Sequence, residues 1–226
     1  MKPVRRLLLA AMLSIIPAVS MATEHDALWS KVTEQFNTSE SYAAKDIRET
    51  IHFEMNEETR HTVIQLALGG WKNGQAYYQT ISVEPASATN KKPFRLDEKS
   101  KPALRKFFAS EQAPKRTDNV MLGEKNTILF EGSNTEGKDK FQFQIWVDPD
   151  TGSILQNKFY MTGPAKLVIS ALTSYAVGQQ GVSLPSKRHI DLEFNEPFRV
   201  KGTVDEELLH WEVASDVTRT GKPASP

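Results

Sequence analysis

The chain predicts a mainly β fold of the α+β class: a strongly curved antiparallel sheet forming an incomplete barrel, with an N-terminal helix and an inserted helix as its lid. Three observations carry this. Runs of eight to thirteen residues alternate apolar and polar side chains, as a sheet with one buried face requires. Short Gly-, Asn- or Asp-containing turns separate them, as in Asn73-Gly74 and Asp148-Pro149-Asp150-Thr151-Gly152. Only two segments of the mature chain have helical spacing. A sheet of eight or nine strands must curl, and the two helices are available to cover its concave side.

The elements follow in order. Met1 to Ala22 begins with Lys2, Arg5 and Arg6, continues through an apolar run from Leu7 to Ile16, and ends at Ser20-Met21-Ala22. This is the pattern of a secretory signal with cleavage after Ala22. About ten apolar residues are too few to span a hydrocarbon layer of roughly 30 Å. Asp26 to Phe36 sets Leu28, Trp29, Val32 and Phe36 on one helical stripe. Ala44 to Phe53 places Ile47, Ile51 and Phe53 on one strand face, and Arg48, Thr50 and His52 on the other. Thr62 to Trp71 alternates Ile64, Leu66 and Leu68, and Ala76 to Val83 returns after the Asn-Gly turn. Pro102 to Ser110 reads as a short helix with Pro in its first turn. Strands are then expected over Asn119 to Glu131, Lys140 to Asp148, Ser153 to Met161, Ala165 to Val177, Lys187 to Asn195 and Leu208 to Val217. The expected organisation is a signal peptide over 1–22, one domain over 23–217 and a disordered tail over 218–226.

Composition narrows the function. Without Lys2, Arg5 and Arg6 the chain holds 25 basic against 28 acidic residues, a net charge near −3, which offers no electrostatic footprint for nucleic acid. It has no cysteine, so no disulfide supports the exported protein and its core must suffice. Export of this kind points to the periplasm.

The motifs that could carry chemistry fall short of it. The Asp148 turn imitates the start of a calcium loop, but Ser153 stands where that loop needs Gly and Phe159 where it needs Glu. Gly132-Ser-Asn-Thr-Glu-Gly137-Lys138-Asp139 approaches a phosphate loop, with Asp139 in place of the magnesium-binding hydroxyl; it reads as a hairpin tip. His52 and His61 could face each other across a hairpin and hold a metal with Glu54, but the commoner fate of such residues is the wet side of a sheet. The carboxylates Asp46, Glu49, Glu54, Glu57 and Glu58 cluster as on a solvated edge. No catalytic residue, cofactor or metal ligand is assigned, and no motif argues for an enzyme.

What remains is apolar surface. Phe141, Phe143, Ile145 and Val147 share one face, and Leu155, Phe159 and Met161 continue it on the next strand. Such a stripe is ordinarily core. In an incomplete barrel, core and ligand pocket are one surface, and burying an acyl chain gains roughly 0.8 kcal/mol per CH₂. The residues expected to line it are Ile51, Phe53, Leu66, Leu68, Tyr77, Phe143, Ile145 and Phe159, with Trp29 and Phe108 contributed by the lid.

The helix ALWSKVTEQF after the signal, the turn and strand NGQAYYQTISVEP, the strand-turn-strand IWVDPDTGSILQ and the segment GVSLPSKRHIDLEF together resemble the periplasmic lipoprotein-carrier and outer-membrane lipoprotein-sorting proteins. The resemblance implies an unclosed β-barrel with a helical lid over a lipid-binding cavity. It implies a protein that sequesters or carries acyl chains of lipoproteins or other envelope lipids toward the outer membrane; a monomer is expected, with inner- or outer-membrane transport proteins as partners. The alternative within the same fold is a non-enzymatic sensor or adaptor that binds a membrane protein.

Overall fold

The computed structural model describes residues 26–55, 58–72, 75–88, 97–109, 114–178, 181–194 and 199–214. The expected signal peptide, the Asn73-Gly74 turn and the expected tail lie outside them. The order is helix α1 (Ala27–Ser39), strands β1 (Tyr42–Met55), β2 (Glu58–Lys72) and β3 (Gln75–Glu84), helix α2 (Asp97–Phe108), then β4 (Lys115–Leu122), β5 (Lys125–Glu136), β6 (Asp139–Val147), β7 (Ile154–Gly163), β8 (Leu167–Val177), β9 (Ser183–Phe194) and β10 (Val200–Val213). All ten strands form one antiparallel sheet in the order β3-β2-β1-β10-β9-β8-β7-β6-β5-β4. Two meanders are thus joined by pairing the first strand with the last, with Ile51 opposite Val204. The edges, β3 and β4, are consecutive in the chain but not paired with each other, so the barrel stays open where α2 is inserted.

The boundaries differ from expectation at several places, with β2 starting at Glu58, β9 at Ser183 and β5 running on to Glu136. Asn119 to Glu131 is not one strand but the β4–β5 hairpin, turning at Gly123-Glu124, where Gly123 takes φ +62°. The last strand begins eight residues before Leu208, because Gly202 and Glu206 occupy positions on its covered face where an apolar signal was sought. Helix α1 runs through Asn37-Thr38-Ser39. Helix α2 starts five residues before Pro102. That leaves Pro102 inside the helix, where it cannot donate to the carbonyl four residues back. The expected strand after Ala165 is present from Leu167.

One sheet face is covered and the other wet. On the covered face successive registers align side chains into rows running across the strands. One row is apolar throughout: Ile51, Val204, Ile190, Ala171, Phe159 and Phe143, each opposite the next. Helix α1 lies over this face with Trp29 and Val32 buried, and α2 adds Ala103, Phe107 and Phe108.

The two helices are held differently. Asp26 caps α1, its Oδ1 accepting from the Leu28 and Trp29 N–H groups at 2.9 and 3.1 Å, while Oδ2 pairs with Arg116 of β4 at 2.9 Å. Burial pushes the Asp26 carboxyl up, but the Arg116 hydrogen bond, the two helix N–H groups and the guanidinium charge outweigh it and hold the group below the usual carboxylate range. At its other end Gln35 accepts from the Ser183 N–H at 3.0 Å. Helix α2 is tied by the Asn134 amide to the Ala103 carbonyl at 2.9 Å, by Lys106 to the Thr135 carbonyl at 3.3 Å, and by Arg105 to Glu40 at 2.9 Å. The last two of these ties are solvent-exposed.

Phe107 sits where Gly132 has no side chain: a Cβ there would fall 2.4 Å from the ring. Gly132→Val is therefore expected to push α2 outward and to destabilise the fold by about 1–3 kcal/mol in urea unfolding. An unchanged midpoint would show that Phe107 is not seated there.

Candidate functional site

The covered face is lined with aromatic rings that meet the lid. Phe143 packs against Phe159 with centroids 5.7 Å apart, and Phe141 does the same at 5.7 Å. From above, Phe107 stacks on Phe143 at 4.7 Å. Trp29 of α1 stacks on Phe108 at 5.4 Å and meets Phe107 edge-on at 5.5 Å, and Phe36 stacks on Phe108 at 4.0 Å. The lid is thus a cluster of rings set on a floor of rings, each contact worth about 0.5–1.5 kcal/mol beyond the area it buries.

Of the residues expected to line a pocket, Ile51, Leu66, Phe143, Ile145 and Phe159 are buried on the covered face, and Trp29 and Phe108 are buried on the lid. They belong to one core with the lid rings, which occupy the space in front of Phe143. Phe53 is half-buried, its ring filling the place of a Cβ on Gly202. Leu68 is half-buried beside a register shift in the β2–β3 pairing. Tyr77 is 45% exposed. The irregular β2–β3 register turns its neighbour Tyr78 onto the core instead. Phe107 and Phe130 complete the ring cluster and were missed; Phe107 was signalled by its place next to Phe108. Leu155 does not continue the face, because a register shift at Trp146/Val147 interrupts the β6–β7 ladder beside it.

The larger surprise is polar. One row below the apolar one, Glu49, Glu206, Arg188, Thr173 and Asn157 stand opposite one another across β1, β10, β9, β8 and β7. Glu49 and Glu206 are 2% and 6% exposed, so Glu49 is not on the solvated edge where its acidic neighbours suggested it would be. Its even offset from Ile47 and Ile51 places it inside. Arg188 Nη1 donates to Glu206 Oε2 at 3.0 Å, and the Asn157 amide donates to the Tyr175 hydroxyl at 2.7 Å. The covered face therefore carries a short charged row between apolar ones, with Ile47 and Leu208 on its far side.

The Asp148 connection is a turn. Asp148 Oδ1 accepts from the N–H groups of Asp150 and Thr151 at 3.0 and 2.9 Å, and Gly152 takes φ +74°. Among the described residues, no three His, Asp or Glu side chains are grouped as metal ligands. On the wet face His189 Nδ1 lies 2.6 Å from Asp205 and its Nε2 3.3 Å from Asp191. The hydrogen bond to Asp205 raises the imidazole above its ordinary value of 6.5; burial opposes this, and the charges of Asp191 and Asp205 add to it.

Arg188→Ala leaves the buried Glu206 carboxylate without this guanidinium, and is expected to cost on the order of 3–5 kcal/mol. The exposed Arg60→Ala control should stay within about 0.5 kcal/mol; equal effects in urea unfolding would refute the buried assignment. For His189 the folded form binds its proton more tightly than the unfolded chain. Its contribution is complete below pH 6.5 and fades as pH rises through the raised value. His189→Gln is expected to remove that part of the pH dependence of the urea midpoint, and an unchanged profile would contradict the pairing.

No protein-family model matches the chain, and no curated protein matches it. Among solved structures it is similar to a LolA superfamily protein from Nitrosomonas europaea, at 11% identity and TM-score 0.34, over 84% of this chain and 94% of that one. It is also similar to a DUF1329 family protein from Desulfovibrio piger, at 9% identity and TM-score 0.38, over 89% of this chain and 99% of that one.

Proposed function

We propose that the covered face of the sheet binds acyl chains of envelope lipids or lipoproteins in the periplasm, with α2 as the element that yields to them. The observation that carries this reading is the open edge. Strands β3 and β4 follow each other in the chain yet stay unpaired, and the segment between them supplies α2, whose rings fill the apolar basin. Opening requires no strand pair to break.

The energies are commensurate. Burying Phe107 and Phe108 contributes about 3–6 kcal/mol at roughly 1.5–3 kcal/mol each. An acyl chain gains roughly 0.8 kcal/mol per CH₂, so about eight methylenes replace what the two rings give. Longer chains win, and shorter ones leave the lid closed. The chemistry is sequestration, without covalent steps.

The full chain is expected to carry a discrete acyl-containing mass in native mass spectrometry after gentle purification. Stripped of it, the protein should bind cis-parinaric acid and release it to palmitate. Phe143→Asp should abolish binding with the circular dichroism spectrum retained. Phe107→Ala, which removes part of the competing plug, should tighten binding by roughly tenfold, the equivalent of about 1.4 kcal/mol. A clean apo mass together with no palmitate-sensitive parinarate signal in either wild type or Phe107→Ala would overturn the reading.

A further inference from the structure

The two histidines that the sequence left undecided are brought together. His52 of β1 and His61 of β2 are direct partners in the antiparallel register. Their rings lie 4.6 Å apart between centroids, inclined by 34°, and both side chains are exposed on the wet face. Exposed strand histidines ordinarily splay into water. This pair is held ring to ring by paired strands on a backbone that is already fixed.

A second observation lies beside it. His52 and Glu54 form one wall of a groove of about 370 Å³, whose other walls carry Asp191, Glu193, Lys201 and Thr203. Three carboxylates face one ammonium in it, and Glu193 also pairs with Arg199 at 3.3 Å. With Arg199 counted, three carboxylates stand against two cations, a small acidic excess that favours a cation nearby.

We propose that His52 and His61 form a binding site for a late first-row divalent transition ion, Cu²⁺ above Ni²⁺ and Zn²⁺. Imidazole nitrogens bind such ions at about 2.0–2.1 Å, so two nitrogens sharing one ion stand roughly 3–4 Å apart, within the reach of side-chain rotation from the stacked pair. Both ligands are imidazole, which suits copper, nickel and zinc rather than magnesium or calcium, and copper heads the affinity order for such sites. No third protein ligand is grouped with them among the described residues, so water completes the coordination and the groove carboxylates act through charge. The site lies on the face opposite the lid and does not depend on the acyl reading.

The test uses the untagged full chain in a His25→Ala background, because cleavage after Ala22 would leave His25 third from an amino terminus, a copper chelator in its own right. With Cu²⁺ titrated at pH 7.5, isothermal titration is expected to show one ion per chain, with a matching rise in Tm. His52→Ala and His61→Ala should each lose the saturable binding and the Tm shift while keeping the native circular dichroism spectrum. His189→Ala should retain both, and Mg²⁺ should give neither. Equal binding by His61→Ala, loss of binding in His189→Ala, or no saturable binding in the His25→Ala background would overturn the proposal.

Discussion

The architecture depends on one pairing made and one left unmade. Strand β1 pairs with β10, which places the beginning and end of the fold side by side in the interior of the sheet, third and fourth from the β3 edge. The edges fall on β3 and β4. Had these paired, the ten strands would have closed around a core reached only from the ends. Because they do not, an apolar face stays laterally open, and it is covered by α1 and by the segment between the two edges, which supplies α2. An exposed edge also invites pairing with other chains. Strand β4 guards against this with Lys115, Arg116 and Asp118 and with a register shift where Asn119 takes φ +59°.

That constraint separates the cover into a fixed part and a movable one. Helix α1 is capped, paired to Arg116 and bonded to the loop before β9, so its displacement would cost several buried or half-buried polar contacts along with Trp29 and Val32. Helix α2 holds on mainly by Ala103, Phe107 and Phe108, since exposed ion pairs such as Arg105–Glu40 contribute about 0–1 kcal/mol. Apolar contact is non-directional, so an apolar group can replace it, at the cost of the half-buried Asn134–Ala103 hydrogen bond. A cover held by hydrogen bonds would lack that property.

Much of this was legible in the sequence, for a physical reason. The strand period of two sorts residues onto two faces with no tertiary information, and it placed Ile51, Leu66, Phe143, Ile145 and Phe159 together. Parity also sets Arg188 with Ile190 and Leu192, and Glu49 with Ile47 and Ile51; for Glu49 residue type argued the other way, and parity was right. Where the period itself fails, the reading failed. Register shifts between β2 and β3 sent Tyr77 outward and Tyr78 inward, and one near Val147 removed Leu155 from its face. No sequence signal marks a shift of that kind. The missed start of β10 has another cause: Gly202 is buried because Phe53 lies over it, a contact between residues about 150 positions apart.

The charged row belongs to the same logic. Burying Arg188 and Glu206 against an apolar core is seldom a net gain, since desolvation offsets much of the attraction between them. A row of Leu or Val at those positions would give a sheet at least as stable. It would also give a face apolar from end to end, with nothing to fix how far the lid rings or a guest should slide along it. An apolar group pushed onto the row would meet the Arg188–Glu206 pair, and separating that pair would cost several kcal/mol, more than one further CH₂ at roughly 0.8 kcal/mol returns. The row thus divides the apolar face, and Glu49 lies four residues from Phe53 along β1. That span of four residues corresponds to about 13 Å of strand.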